Sequence, residues 1–428
     1  MKKKIIVSGP GLTRSGYGEQ CRFALRALRA HEDRFDIYFS PLNWGNTSWV
    51  AENDDERLWF DSLIRKTMGY NQAGGKYDYS LQVTIPNEWQ NMATVNIGYT
   101  AGIETDMVSP QWLQASKGMQ KIIVVSNHSK RVFEETSYQA QNDQTGEIVQ
   151  YRCTTPIDVV NFPARNVQPV DIDLELSTEF NFLTVAQWSP RKNLKNTVRW
   201  FVEEFFDQEV GLVIKANMAK NCLLDRTTIH SKLEAALDKP EYKDRKCKVY
   251  LLHGDMTDEE MSGLFHHPKI KAYATLTHGE GFGLPLFEAA QAGLPIVAPG
   301  WSGHMDFLFA PSNSKKNKNK MRPHFINVDF DLKPVQKRAI WDGVIQKDSK
   351  WAFPRQGSYK MALRRAYKEH SRHKSAAKRL QKHVLKSFSE DEMYKQFADA
   401  ILPESEIVTD EEIENLFGAL NDLQEDVG

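Results

Sequence analysis

One stretch of this 428-residue chain leaves little freedom of fold: His278-Gly-Glu-Gly-Phe-Gly-Leu-Pro-Leu-Phe-Glu288, followed by Gly293, an apolar run from Leu294 to Ala298 and a second glycine turn through Gly303. Glycines at 279, 281 and 283 permit backbone angles and a close ligand approach that side chains forbid. Pro285 suits the first turn of a helix, where its missing N–H costs nothing, and Gly293 with Pro295 ends that helix about two turns later. The run from Leu294 is short, apolar and bounded by Gly and Pro, as a buried parallel strand is. The segment therefore reads as strand, loop, helix, strand, the repeating unit of an α/β protein with a parallel sheet.

In such a unit ligands bind at the carboxyl ends of the strands, where helix N-termini present N–H groups to anions. A phosphate near Gly281 to Gly283 is the natural occupant. Glu280 and Glu288, with seven residues between them, repel phosphate but accept hydrogen bonds from hydroxyls. Together these features suit a ligand with both phosphate and sugar. The spacing alone leaves open an ordinary glycine-rich turn with two solvated glutamates; the Gly-Phe-Gly-Leu-Pro insert argues against it.

A chain of this length is expected to form two domains. Lys and Arg number 55 against 56 Asp and Glu, so no global field drives the protein onto nucleic acid or membrane. Cys21, Cys153, Cys222 and Cys247 show neither CxxC nor Cys/His spacing, which argues against a zinc site or disulfide framework and fits a reducing cytoplasm. The apolar run after Met-Lys-Lys-Lys is too short for a signal peptide, and no run approaches a membrane span, so integral membrane contact is not expected.

Strands are expected at 4–8, 93–99, 121–126, 182–186, 210–215 and 248–252. A glycine-rich loop covers 9–18, a helix covers 19–30, and another begins at Asn127 or Ser129. The alternation of acidic and aliphatic residues over 166–178 marks a linker between an N-terminal domain, 1–165, and a C-terminal one, 179–388; a crossover helix and acidic tail occupy 389–428. Gly9-Pro-Gly11 is half a dinucleotide fingerprint, but no G-x-G-x-x-G register or acidic partner follows, so NAD is not indicated. In Trp188-Ser-Pro-Arg-Lys-Asn193, Arg191 and Lys192 stand at a helix N-terminus, where two cations can neutralise a diphosphate. A solvated basic turn is the plainer alternative.

The segment around Glu280 and Glu288 resembles the E-x7-E motif of the nucleotide-sugar glycosyltransferases of family 4, retaining enzymes of the GT-B fold. The resemblance implies two Rossmann-like domains facing across a cleft, the nucleotide held mainly by the second. By it, Glu280 contacts hydroxyls of the donor sugar and Glu288 the ribose, while the N–H groups of Phe282 and Gly283, within the loop Gly281 to Leu284, meet the diphosphate. Ser15-Gly16-Tyr17-Gly18 matches the family's N-terminal loop against the donor. Lys192 matches the family lysine, whereas Gln187 stands at the usual arginine position and Arg191 is the substitute. Glu280, Arg191 and Lys192 are thus the catalytic candidates. His278 is either a donor contact or a structural hydrogen-bonder. Glu104 and Asp106, in Tyr99-Thr-Ala-Gly-Ile-Glu-Thr-Asp106, replace a histidine that many members carry; they either face the acceptor or form a loop or cap pair. A nucleotide sugar, UDP-linked by expectation, is the co-substrate, and no cofactor or essential metal is implied: Asp171-Ile-Asp173 has a metal-binding pattern but lies in the linker. Retention rests on the resemblance alone.

The acceptor is not legible. Lys315 to Lys320 is a basic loop, and residues 359–386 carry ten Lys or Arg against one Glu. That helix is either a solvated face or a polyanion dock. With Trp44, Trp49, Trp89 and Trp112 in first-domain loops, these features leave room for a DNA acceptor, as in phage enzymes that glycosylate hydroxymethylcytosine, which would place the protein in the host cytoplasm. A glycan or small-molecule acceptor, a non-catalytic nucleotide-sugar binder and a nucleic-acid-binding module are the alternatives.

Overall fold

The computed structural model describes residues 2–141, 146, 148–312 and 320–406. The basic stretch 315–319 and the acidic tail from 407 lie outside these residues. Two parallel six-stranded sheets form the framework. The first contains β1 (Lys3–Gly9), β2 (Phe35–Pro41), β3 (Tyr79–Val83), β4 (Val95–Thr100), β5 (Lys121–Val124) and β6 (Ile157–Val159), in the order β2-β1-β3-β4-β5-β6. The second contains β7 (Phe180–Gln187), β8 (Val210–Asn217), β9 (Lys248–Leu252), β10 (Ile270–Ala274), β11 (Ile296–Pro299) and β12 (Ile326–Val328), in the order β9-β8-β7-β10-β11-β12. Runs such as Ile5-Ile-Val7 and Val210 to Ile214 are apolar without alternation and buried throughout, as strands covered on both faces must be. The second order is that of a Rossmann sheet, and its direction of winding reverses between β7 and β10.

The expected loop through Ser15 to Gly18 is instead the start of a helix, Gly16–Arg29. The Ser15 side chain caps it by accepting the Gly18 N–H at 2.9 Å. Gly18 is required there, because a Cβ would lie 2.1 Å from the Thr13 carbonyl oxygen. The long basic helix is two helices, Gln356–Lys368 and His370–Ser387, meeting at Glu369. The last helix, Glu390–Ile401, returns to the first domain. Phe397 packs 5.1 Å from Phe23, and Lys121 donates to the Ala400 carbonyl at 2.7 Å.

Apolar packing is continuous across the domains: Phe162 lies 5.2 Å from Phe282, which also meets Phe287 and Phe307 at 5.0 Å each. Trp89 and Trp112, expected as loop aromatics open to an acceptor, are buried core residues with Ile103 and Val108. Their burial explains the tryptophans without any ligand.

Sequence patterning did not disclose a second-domain hairpin, Phe330–Pro334 with Lys350–Pro354, or the strap between its strands. The strap crosses to the first domain. The Gly343 carbonyl accepts from Ser109 Oγ at 2.7 Å and Asn87 Nδ2 at 3.1 Å, and Val344 is buried in the Trp89–Trp112 cluster. Among the described residues no helix is long and apolar enough to cross a membrane.

Candidate functional site

At the reversal point of the second sheet, the chain leaves β7 through Trp188 to Asn193 and β10 through Thr275 to Gly283. Each loop ends at a helix start without a side-chain cap: Leu194–Phe205 begins on Asn193 at φ 54°, and Leu284–Gln291 on Gly283 at φ 97°. The first-turn N–H groups of both helices therefore add partial positive charge to the same crevice.

Glu280 lies on the second of these loops and faces the first, 5% exposed. Its carboxylate accepts from Lys192 Nζ at 2.6 and 2.8 Å and from an Arg191 terminal nitrogen at 2.8 Å. Burial alone would raise its pKa, but Lys192 and Arg191 override that and hold it at about 2. The Glu280 N–H donates to Ser302 Oγ at 2.8 Å, and its carbonyl accepts from Gly303 N–H at 2.9 Å. Ser302 adopts φ 79°, ψ −157°, a conformation costly for any residue but glycine. That strain is located at the turn that fixes Glu280.

Two glycines of the loop serve domain contact. A Cβ at Gly279 would lie 2.2 Å from the Glu104 carbonyl oxygen, and one at Gly281 2.5 Å from that of Ala101. Both oxygens belong to the first domain. Arg191 joins the same contact, with Nε 3.3 Å from Glu104 Oε1 and a terminal nitrogen donating to the Gly279 carbonyl at 2.8 Å.

Glu288 is placed differently. It lies on the second turn of Leu284–Gln291, partly exposed, and among the described residues no hydrogen bond or ion pair reaches its carboxylate. Burial, reinforced by Asp258 and Glu19 and only partly opposed by Arg165, pushes it up to about 8. The site therefore favours the protonated acid.

A cleft of about 1770 Å³ separates the domains. Gly16 and Glu104 line it from the first domain; Arg191, Lys192, Glu280 and Glu288 line it from the second, with the backbone from Gly281 to Leu284. The Phe282 ring points into the shared core, so only its backbone is available to a ligand. Tyr17 stacks on Trp44 with ring centres 4.2 Å apart.

Two expected residues do not open onto the cleft. His278 is 2% exposed; its Nδ1–H donates to the Ala352 carbonyl at 2.5 Å, Gln336 donates to Nε2 at 3.1 Å, and the ring stacks on Trp351. Burial lowers its pKa to about 4, so it is neutral and structural, fastening the glutamate loop to the Lys350–Pro354 strand. Asp106 is exposed and faces that strand too. Its carboxylate accepts the Lys350 N–H at 2.6 Å and its N–H donates to the Lys350 carbonyl at 3.0 Å, so it joins the hairpin to the first domain outside the cleft lining. Lys215 at the carboxyl end of β8, together with Arg338 and Trp341 on the strap, lines the cleft without having been singled out. The first could have been found as a cation ending a strand.

No protein-family model and no curated protein sequence matches the chain. Solved structures do resemble it. HepE of Anabaena, in complex with UDP and glucose, is 14% identical, with 93% of this chain and 98% of that one covered at a TM-score of 0.54. The lipopolysaccharide outer core galactosyltransferase WaaB is 12% identical, with 94% and 99% covered at 0.53. Sucrose-phosphate synthase of Thermosynechococcus elongatus is 13% identical, with 98% and 100% covered at 0.60. At such identities the likeness concerns architecture: the chain has the GT-B fold, two Rossmann-like domains facing across a cleft.

Proposed function

We propose that this protein is a glycosyltransferase of family 4 that moves a sugar, with retention, from a UDP-sugar to a hydroxyl acceptor. The observation that carries the reading is the buried Glu280 carboxylate, held by Lys192 and Arg191 between two uncapped helix starts at the carboxyl ends of the second sheet. HepE, seen with UDP and glucose, supports the choice of donor.

Lys192, Arg191 and the N–H groups from Gly281 to Leu284 stabilise the departing diphosphate. Glu280, kept ionised by the same cations, receives hydroxyls of the donor sugar and fixes its ring. Glu288 receives the ribose hydroxyls. Gly16, at the start of the first helix, approaches the donor from the opposite wall. Glu104 borders the acceptor side and holds Arg191 in position. The charge of the leaving group is met by protein groups, so the reading assigns no essential metal or cofactor. Hydroxymethylcytosine in phage DNA is one acceptor class within it.

The test is thermal shift with UDP-, GDP- and ADP-sugars, followed by mass spectrometry of the nucleotide released. Stabilisation by UDP-sugars with slow release of UDP supports the reading. If no nucleotide sugar stabilises the protein or is turned over, the reading fails.

A further inference from the structure

Eight cationic side chains line the cleft, and six are ion-paired with neighbouring carboxylates. Among the described residues, Lys215 and Arg338 are the two without an ion pair. Lys215 donates to the Gly254 carbonyl oxygen and belongs to the nucleotide-binding sheet. Arg338 is exposed and stands on the strap, beside the two most exposed large apolar groups of that segment: Ile340 at 41% and Trp341 at 54%.

The strap holds these side chains in place from both ends. Gln336 is bonded to His278, and Val344 is sunk into the first-domain cluster beneath Gly343. Between them a tight turn closes on Trp341: its carbonyl accepts from Ile345 N–H at 2.7 Å and Val344 N–H at 2.9 Å, and its own N–H donates to Ile345 at 3.2 Å. The backbone under Trp341 is therefore fixed while its ring stays half exposed on a cleft wall. Ordering costs for a ligand are low at such a position.

The strap's location identifies which substrate meets it. Lys350, at its end, is bonded to Asp106, two residues from Glu104, and Glu104 is paired to Arg191 beside Glu280. The strap thus borders the Glu280 end of the cleft, and Glu288 the other. An indole face stacks on a sugar or base ring, and a guanidinium forks onto a phosphate.

We infer that the strap is an acceptor-recognition element: Trp341 stacks on the ring of an acceptor that bears a phosphate, and Arg338 binds that phosphate. The inference rests on the glycosyl-transfer reading. A sugar phosphate and a nucleotide within DNA both present this chemistry.

The test uses full-length protein labelled with 5-fluorotryptophan and saturated with UDP, the Trp341 resonance being assigned by its loss in Trp341→Phe. Glucose 6-phosphate is titrated against glucose, and a hydroxymethylcytosine oligonucleotide against the matching free nucleoside. The expected result is that the phosphate-bearing member of one pair moves the Trp341 resonance at about tenfold lower concentration than its partner. Arg338→Ala should erase that difference and Arg338→Lys restore part of it, with UDP affinity unchanged; the responding pair identifies the phosphate source. A silent Trp341 with every probe, or a preference that survives Arg338→Ala, overturns the inference. Failure of UDP to bind would instead refute the glycosyl-transfer reading.

Discussion

Glu288 is a carboxylic acid set where ionisation is costly until a ligand arrives, and its replacement by Gln tests that directly. A glutamate in the unfolded chain ionises near 4.5, and in the folded protein Glu288 does so at about 8. Between those values the folded state holds one more proton than the unfolded state, so stability falls as pH rises through the window. Each unit is worth about 1.36 kcal/mol, which gives about 5 kcal/mol as an upper bound. The side chain is partly exposed, and solvent screening reduces the figure to about 2 kcal/mol. Glu288→Gln does not titrate. It should therefore gain about 2 kcal/mol over the parent at pH of about 9 and gain little at about 5, read from urea midpoints without ligand. If the ionised carboxylate receives the ribose hydroxyls, UDP binding to the parent near neutral pH should also release protons. Calorimetry in two buffers of different ionisation heat measures that release, and the variant should show less of it. An equal gain at both pH values, or none at either, would refute the argument.

Glu280 carries the opposite linkage. Its pKa is depressed to about 2, so it contributes stability above about 4.5 that is lost as pH falls through about 2. Glu280→Gln removes the carboxylate paired with Lys192 and leaves Arg191 only Glu104, and should cost about 3 kcal/mol at neutral pH, checked by urea unfolding; turnover should fall further than donor affinity. Lys192→Ala should weaken both UDP binding and turnover, the latter by about a hundredfold or more in steady-state kinetics. Gly281→Ala places a methyl group against the Ala101 carbonyl and should loosen domain contact, which small-angle scattering would register as an increased radius of gyration. Treatment with a chelator should leave turnover unchanged.

Parallel strands were legible where they form apolar runs, and those read at Phe182 and Lys248 fall within β7 and β9, whereas β2, β3, β6 and β12, short runs that include polar residues, were not read. Residues within one loop, such as Glu280 and Gly283, could be read together because chain spacing fixes their proximity. The roles of His278 and Asp106 could not, since both are decided by partners on the Lys350–Pro354 strand, more than seventy residues downstream of His278. The glycines at 279 and 281 were read as positions where a ligand approaches closely. What approaches is the first domain, a contact between distant segments that no local pattern encodes. The strap was missed because its strands are short, partly exposed and lack a strong apolar period.

One consequence unites the two ends of the cleft. Arg191 is bonded simultaneously to Glu280 in the glutamate loop and Glu104 in the first domain, so a cation assigned to the diphosphate is also a domain contact. A diphosphate entering beside it would compete with Glu104 for the same guanidinium, because a single planar fork satisfies a limited set of acceptors. The loop bearing Glu104 continues to Asp106, whose paired bonds reach Lys350, where the strap ends. If the donor diphosphate sits beside Arg191 as proposed, donor occupancy and the placement of Trp341 should be coupled through this run of contacts. Asp106→Ala removes the carboxylate bond to Lys350 and leaves the backbone bond, so it should leave UDP affinity intact and weaken the effect of UDP on the Trp341 fluorine resonance. An undiminished UDP effect in that variant would show that the carboxylate bond carries none of the coupling.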